Sequence, residues 1–144
     1  MPEMTKDEIR NCLLKGTFTC KLGTINKTGT SHLVPIWYTL DDEDNILFNT
    51  DDNSVKAKNI KLDRRVPVCV DGQGPLFSFV TIDRIAEIIS KEPEEVFKCA
   101  KIIAARYMGN DKAEEYGRRN SSEGELLIKI KPTRVIGQKD IAGW

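Results

Sequence analysis

Between positions 49 and 59 the chain reads Asn49-Thr50-Asp51-Asp52-Asn53-Ser54-Val55-Lys56-Ala57-Lys58-Asn59. A strand-like apolar run (Ile46-Leu47-Phe48) ends there, a polar turn follows, and a short helix opens at Val55 with Ser54 as its N-cap. The start of a helix offers unpaired backbone N–H groups and the positive end of the helix dipole, which suits a phosphate. Ser54 adds a hydroxyl and Lys56 a full positive charge. A lysine in the first helical turn opposes the dipole, so local helix stability does not account for it, whereas a bound phosphate would neutralise the conflict. The same residues also fit a solvated face of a surface helix, because charged side chains are usually outside. The segment alone leaves both readings open.

Few other chemistries have candidates. The chain has one histidine, His32, which falls in a strand-like run; neither a His-based metal site nor a Ser-His-Asp triad has further support. No P-loop, G-x-S-x-G or G-x-G-x-x-G pattern is present. The four cysteines, Cys12, Cys20, Cys69 and Cys99, form no C-x-x-C pair, and Cys12, Cys69 and Cys99 sit in apolar stretches where a thiol packs as a small hydrophobe. Lys plus Arg and Asp plus Glu are each 22, so the formal net charge is zero. A protein that grips nucleic acid through phosphates usually carries a basic excess, so nucleic acid is not expected as a partner. The polar start, Met1 to Glu8, lacks the apolar centre of a signal peptide, and no apolar run approaches the ~20 residues of a membrane span. The expectation is a cytoplasmic protein with no membrane partner.

These candidates must be held by a fold, and 144 residues suit one domain around one core. Thr5 and Glu8 make a capping box, with Met4 and Ile9 as its hydrophobic staple, for a first helix that Gly16 ends. Strands are expected over Thr17–Ile25, Ser31–Leu40, Ile46–Thr50, Val66–Val70, Phe77–Ile89 and Leu126–Ile136. Pro35 lies inside the second and Pro132 inside the last. A proline cannot donate to a ladder, so Pro35 must face an edge, a bulge or a ligand. Helices are expected over Val55–Leu62, from Ser90 and Pro93 to Met108, and over Asp111–Arg119. Many strands without regular strand–helix alternation give a mainly β, antiparallel α+β domain. Periodicity alone leaves sandwich and barrel undecided.

The ordered series Pro35-Ile36-Trp37-Tyr38, Ile46 to Thr50, Ser54 to Ile60 and Asp63-Arg64-Arg65-Val66 resembles the pyridoxamine-phosphate-oxidase-like split barrels. So do Phe79 to Ile89, Ala105-Arg106-Tyr107-Met108-Gly109 and Ile128 to Val135. The similarity covers nearly the whole chain and is strongest to short, single-domain members described as deazaflavin-dependent. It implies one domain over residues 1–144, a six-stranded antiparallel split β-barrel with flanking helices. It also implies a homodimer with a flavin in each of two clefts between subunits, and hydride transfer through the flavin as an oxidoreductase. Residue by residue, Ser54, Val55 and Lys56 match the family's phosphate turn, and Asn49 and Thr50 the strand end beside it. Pro35, Ile36 and Trp37 match the strand along the flavin ring, and Asn59 lies one helical step beyond Lys56.

FMN is the cofactor expected. Coenzyme F420 is the alternative, for whose longer acidic tail Lys58, Lys61, Arg64 and Arg65 are available. The Arg-x-His pattern of true pyridoxamine phosphate oxidases is missing, since the region reads Arg134-Val135-Ile136, and the basic residue between Ser and Lys in the phosphate turn is Val55. Vitamin B6 synthesis is therefore not expected. No side chain stands out as an acid or base, so none is assigned as catalytic. A cofactor-binding carrier without turnover is the alternative class. Trp37 suits core packing or a ligand wall, and Trp144 could close over a flavin or pack on a partner subunit.

Overall fold

Thr5 starts the first helix as its spacing to Glu8 requires. Its hydroxyl accepts the Glu8 amide N–H at 3.2 Å, and the Glu8 carboxylate accepts the Thr5 amide N–H at 3.1 Å. Helix α1 (Lys6–Leu14) buries Cys12 and Leu13 against the barrel, and the chain turns away through Gly16 at a positive φ of 49°. The computed structural model describes residues 2–143, so Trp144 lies outside the described residues.

Seven strands follow: β1 (Cys20–Ile25), β2 (Ser31–Ile36), β3 (Thr39–Leu40), β4 (Ile46–Asp51), β5 (Arg65–Asp71), β6 (Phe79–Ser90) and β7 (Glu125–Gln138). They form one sheet in the order β2-β1-β5-β6-β7-β4-β3, every pair antiparallel. Helices α2 (Val55–Leu62), α3 (Pro93–Met108) and α4 (Ala113–Arg119) flank it. β2 and β3 lie at opposite edges, yet only Trp37 and Tyr38 separate them in sequence. Three Cα–Cα steps reach at most about 11 Å, so the sheet must curl until its edges nearly meet. The result is a split barrel.

The expected six strands are thus seven. The run Ser31–Leu40 breaks because Tyr38 turns its ring inward, fully buried, and donates its hydroxyl to the Leu13 carbonyl. Pro35 stands on edge strand β2, exposed and opposite Lys21, where its missing N–H breaks no ladder. Pro132 does not end β7. The β6–β7 register steps from Asp83–Arg134 to Arg84–Pro132, leaving Thr133 as the extra residue of a bulge. The Thr133 hydroxyl donates to the Asp83 carbonyl at 2.6 Å.

The core fills the barrel with Leu22, Phe48, Ile60, Val80, Ile128 and their neighbours, while Val96, Cys99 and Ile103 of α3 pack on Leu127 outside it. Gly137 lets α1 approach: a Cβ there would lie 2.8 Å from both Met4 Sδ and Ile9 Cγ1. Cys12, Cys20 and Cys99 are buried, Cys69 is half-buried, and all four are free thiols. Among the described residues no helix is long and apolar enough to cross a membrane.

One side chain ties the seam to the helices. Arg106, near the end of α3, donates from Nε to the Gly16 carbonyl, from Nη1 to the Tyr38 carbonyl and from Nη2 to the Leu13 carbonyl, each at 2.9 Å. Its guanidinium also lies over the Tyr38 ring, 4.6 Å from the centroid. Next to it the Tyr107 hydroxyl donates to the Phe18 carbonyl at 2.7 Å. Carbonyls at a helix end and at a strand break have no ladder partner, and the planar guanidinium reaches all three at once. Arg106→Ala is expected to lower the free energy of urea unfolding by about 3 kcal/mol, because charge-assisted bonds are lost and carbonyls are left unpaired. Arg106→Lys should recover only a minor part, since a single ammonium cannot serve three separated acceptors; recovery close to the wild-type midpoint would contradict this account.

Candidate functional site

The turn Asp51–Ser54 is built by its own side chains. The Asp51 carboxylate accepts the Asn53 amide N–H at 2.7 Å, and the Asp51 carbonyl accepts the Ser54 amide N–H at 3.0 Å. Ser54 caps α2, its hydroxyl oxygen accepting the Ala57 amide N–H at 3.1 Å. The same oxygen accepts the Thr50 hydroxyl at 3.0 Å. With both contacts made to its oxygen, the Ser54 hydroxyl proton is left to donate outward. The amides of Val55 and Lys56, in the first turn of α2, have no intrahelical acceptor.

Beside this helix start lies a cleft of about 270 Å³, lined by Ile36, Trp37, Asn49, Thr50, Asp51, Lys56, Ile103, Asn120 and Glu125. Sequence reasoning named five of these: Ile36, Trp37, Asn49, Thr50 and Lys56. The structure brings them together from the seam, from β4 and from α2. Trp37 is 37% exposed and stacks on Tyr107, ring centroids 5.0 Å apart and planes 2° from parallel, which holds the indole as a flat wall. The Asn49 side-chain amide donates to the Asn120 carbonyl, tying the end of α4 to β4.

Pro35, Val55 and Asn59 are not among the lining residues. Pro35 and Val55 are exposed nearby. Asn59 is buried and donates its side-chain amide to the Thr24 hydroxyl at 3.0 Å, so its amide pins α2 to β1. Ser54, the half-buried cap of α2, is likewise not among the lining residues. Ile103, Asn120 and Glu125 were not expected as lining residues, because β7 and the helices reach the cleft only through long-range pairing; Asp51 lies in the segment read as a turn but was not assigned to the site. Asp51 and Glu125 face each other across the β4–β7 ladder, a relation that local patterns do not carry.

The charges in the cleft are unequal partners. Among the described residues Lys56 makes no ion pair, whereas Lys61 on the same helix is paired with Asp52. Burial pushes the Glu125 carboxyl above its ordinary range and the nearby Asp51 charge adds to the shift, while the Asn49 amide and the Lys56 charge oppose it. The cleft therefore combines an unpaired ammonium, outward-facing donors at a helix start and a carboxyl that holds its proton more readily than usual. That set suits an anion with hydroxyl or phosphate oxygens. It also fits the phosphate of a flavin mononucleotide, with Lys56, the Ser54 hydroxyl and the first amides of α2 as its holders.

The chain belongs to the pyridoxamine 5'-phosphate oxidase family, whose model matches residues 5–139. Among solved structures it is similar to a conserved hypothetical protein from Mycobacterium tuberculosis, 26% identical with a TM-score of 0.79, covering 92% of this chain and 82% of that one. It also shares its fold with a protein named F420 reductase, 21% identical with a TM-score of 0.68, covering 87% of this chain and 94% of that one. The heme storage protein HutZ from Vibrio cholerae has the same fold at 12% identity, with a TM-score of 0.70 and coverage of 90% and 92%. Among curated proteins nothing matches the chain.

The Glu125 shift has a definite sign. A carboxyl whose folded-state pKa lies above its unfolded value stabilises the fold below the unfolded value of about 4.5, and that stability is lost as pH rises through the folded pKa. Glu125→Gln should therefore be more stable than the wild type at pH 8, with the difference closing toward pH 4. Chemical denaturation at both pH values checks this; a gap that widened on acidification would reverse the assignment.

Proposed function

We propose that this chain works as a flavin- or deazaflavin-dependent oxidoreductase acting on a small molecule, with FMN as the cofactor expected and coenzyme F420 as the alternative. The observation that carries the reading is Lys56, an unpaired cation at the start of α2 beside a cleft walled by Trp37. When bound, the flavin or deazaflavin ring would supply hydride transfer. The chain's own residues would bind and orient it. Lys56, Ser54 and the first amides of α2 would hold the phosphate, and Ile36 and Trp37 would lie along the ring.

The reading includes a homodimer. A cleft of about 270 Å³ sits below the ~300–1,000 Å³ usual for small-molecule sites, so a mononucleotide would extend beyond what one chain encloses. A second subunit would supply the missing wall. Leu33 of β2 is 68% exposed, beside a shallow apolar depression on the outer face of the sheet lined by Pro67, Cys69 and Thr81. This is the face proposed to be covered. Four free thiols suit a reducing compartment, and a cytoplasmic location goes with the reading.

Two measurements test it. Sedimentation at micromolar concentration should show a dimer, since stable interfaces bury roughly 1,200–2,000 Å² in total; a clean monomer would remove the two-subunit site. Lys56→Ala should weaken FMN binding by about ten- to a hundred-fold, the loss of one charge-assisted hydrogen bond, while riboflavin, which has no phosphate, should bind the variant and the wild type alike. Lys61→Ala, whose charge is already paired with Asp52, serves as the control. Unchanged FMN affinity in Lys56→Ala, or equal harm to riboflavin, would overturn the phosphate role. Rapid, acceptor-specific reoxidation of the reduced cofactor distinguishes an enzyme from a carrier.

A further inference from the structure

Among the described residues Arg84 has no counter-charge. It shares one face of β6 with Val80, Ile82 and Ala86 and so points into the barrel, where it is 3% exposed. Its Nε and Nη1 are buried without a hydrogen-bond partner. The closest ionisable group acting on it is the Cys20 thiol; burial pushes that thiol up to about 12, so it stays neutral and offers no anion. An uncompensated charge inside a protein is strongly unfavourable, and the described residues supply no partner for Nε and Nη1.

A cavity of about 430 Å³ adjoins this guanidinium, between α1, the β3–β4 turn and the β6–β7 bulge. Its inner wall is apolar, from Ile9, Leu13, Pro132 and Val135, with Arg84 as the inner charged group. At the rim Arg10 of α1 is ion-paired with Asp44 of the β3–β4 turn, and Lys6 and Glu43 stand beside them. The opposite charges at the rim balance one another; the one inside does not. The cavity shares no lining residue with the cleft beside α2, and its volume falls within the ~300–1,000 Å³ of small-molecule sites.

We propose that this cavity is a second ligand site, which takes a monocarboxylic acid with an apolar tail, the carboxylate on Arg84 and the tail along Ile9, Leu13, Pro132 and Val135. A carboxylate matches the planar fork of a guanidinium with two parallel hydrogen bonds. The apolar wall selects a hydrocarbon chain over a small hydrated anion. The bulge at Thr133, where β7 steps around Pro132, places Pro132 opposite Arg84 and so opens this end of the barrel to α1. The site stands independently of the cofactor assignment.

Calorimetric titration of the full chain with sodium octanoate tests the proposal, with 1-octanol and sodium acetate as comparisons. Octanoate should bind at one site per chain, and both octanol and acetate should be about ten-fold weaker or more, since each lacks half of the recognition. Arg84→Met should lose at least about ten-fold in octanoate affinity while keeping its fold, because replacing a buried unpaired charge with an apolar side chain of similar length is often neutral or stabilising. Val135→Phe keeps Arg84 but puts a phenyl ring where the tail would lie along the cavity wall, so it should weaken octanoate binding about ten-fold or more even if Arg84→Met does not fold. Absence of octanoate binding at millimolar concentration, equal binding of acetate or octanol, or unchanged binding in Val135→Phe would each overturn the proposal.

Discussion

The architecture depends on closing a sheet whose two edges are joined by only Trp37 and Tyr38. Closure leaves backbone carbonyls at Leu13, Gly16 and Tyr38 outside any ladder, and the guanidinium of Arg106 collects all three. The Leu13 carbonyl also accepts the Tyr38 hydroxyl, and a buried carbonyl without a donor is unfavourable by about 1–3 kcal/mol, so Arg106 and Tyr38 together make the seam tenable. The same end of α3 presents Tyr107 to the Trp37 indole. The wall of the cleft and the closure of the barrel are therefore one construction, and a change that loosens the helix end disturbs both.

The charges that line the cleft are of both signs. Lys56 is the cation lining it, and it shares the space with Asp51 and Glu125. If both carboxyls were fully ionised, they would outweigh it. Burial of Glu125 and the neighbouring Asp51 charge raise the pKa of its carboxyl, the direction that lessens the negative charge an incoming anion meets. An anion held by Lys56 would raise the Glu125 pKa further, so its binding and proton uptake are linked.

Much of this was legible in the sequence. The capping box at Thr5 and Glu8, the Ser54 cap and the strand–turn–helix around Asp51 are local patterns whose physics is complete within a few residues, and they appear as read. The split of Ser31–Leu40 was not legible, because β-branched and aromatic residues continue across Trp37-Tyr38 and only burial of the Tyr38 ring breaks the strand. Pro132 was visible as an interruption, but its accommodation in a bulge opposite Arg84 depends on β6, almost fifty residues earlier. Asn59 was read as a neighbour of the phosphate turn because it follows Lys56 by one helical step. Its side chain instead meets Thr24, a partner that helical spacing cannot reveal. The lining residues Glu125 and Asn120 were missed for the same reason.

The strand order also carries a consequence for how the sheet is assembled. β1 pairs with β2 and β3 with β4 within short stretches, but β4 joins the rest of the sheet only through β7. β7 (Glu125–Gln138) follows every other strand of the sheet in the chain. Until it pairs, the β3–β4 hairpin has one unsatisfied edge and the barrel interior has no wall on that side. Such long-range pairing is slow relative to local contacts, and an open strand edge is a template for pairing with another chain. The sheet therefore remains two separate fragments, β2-β1-β5-β6 and β4-β3, until β7 joins them as the closing piece.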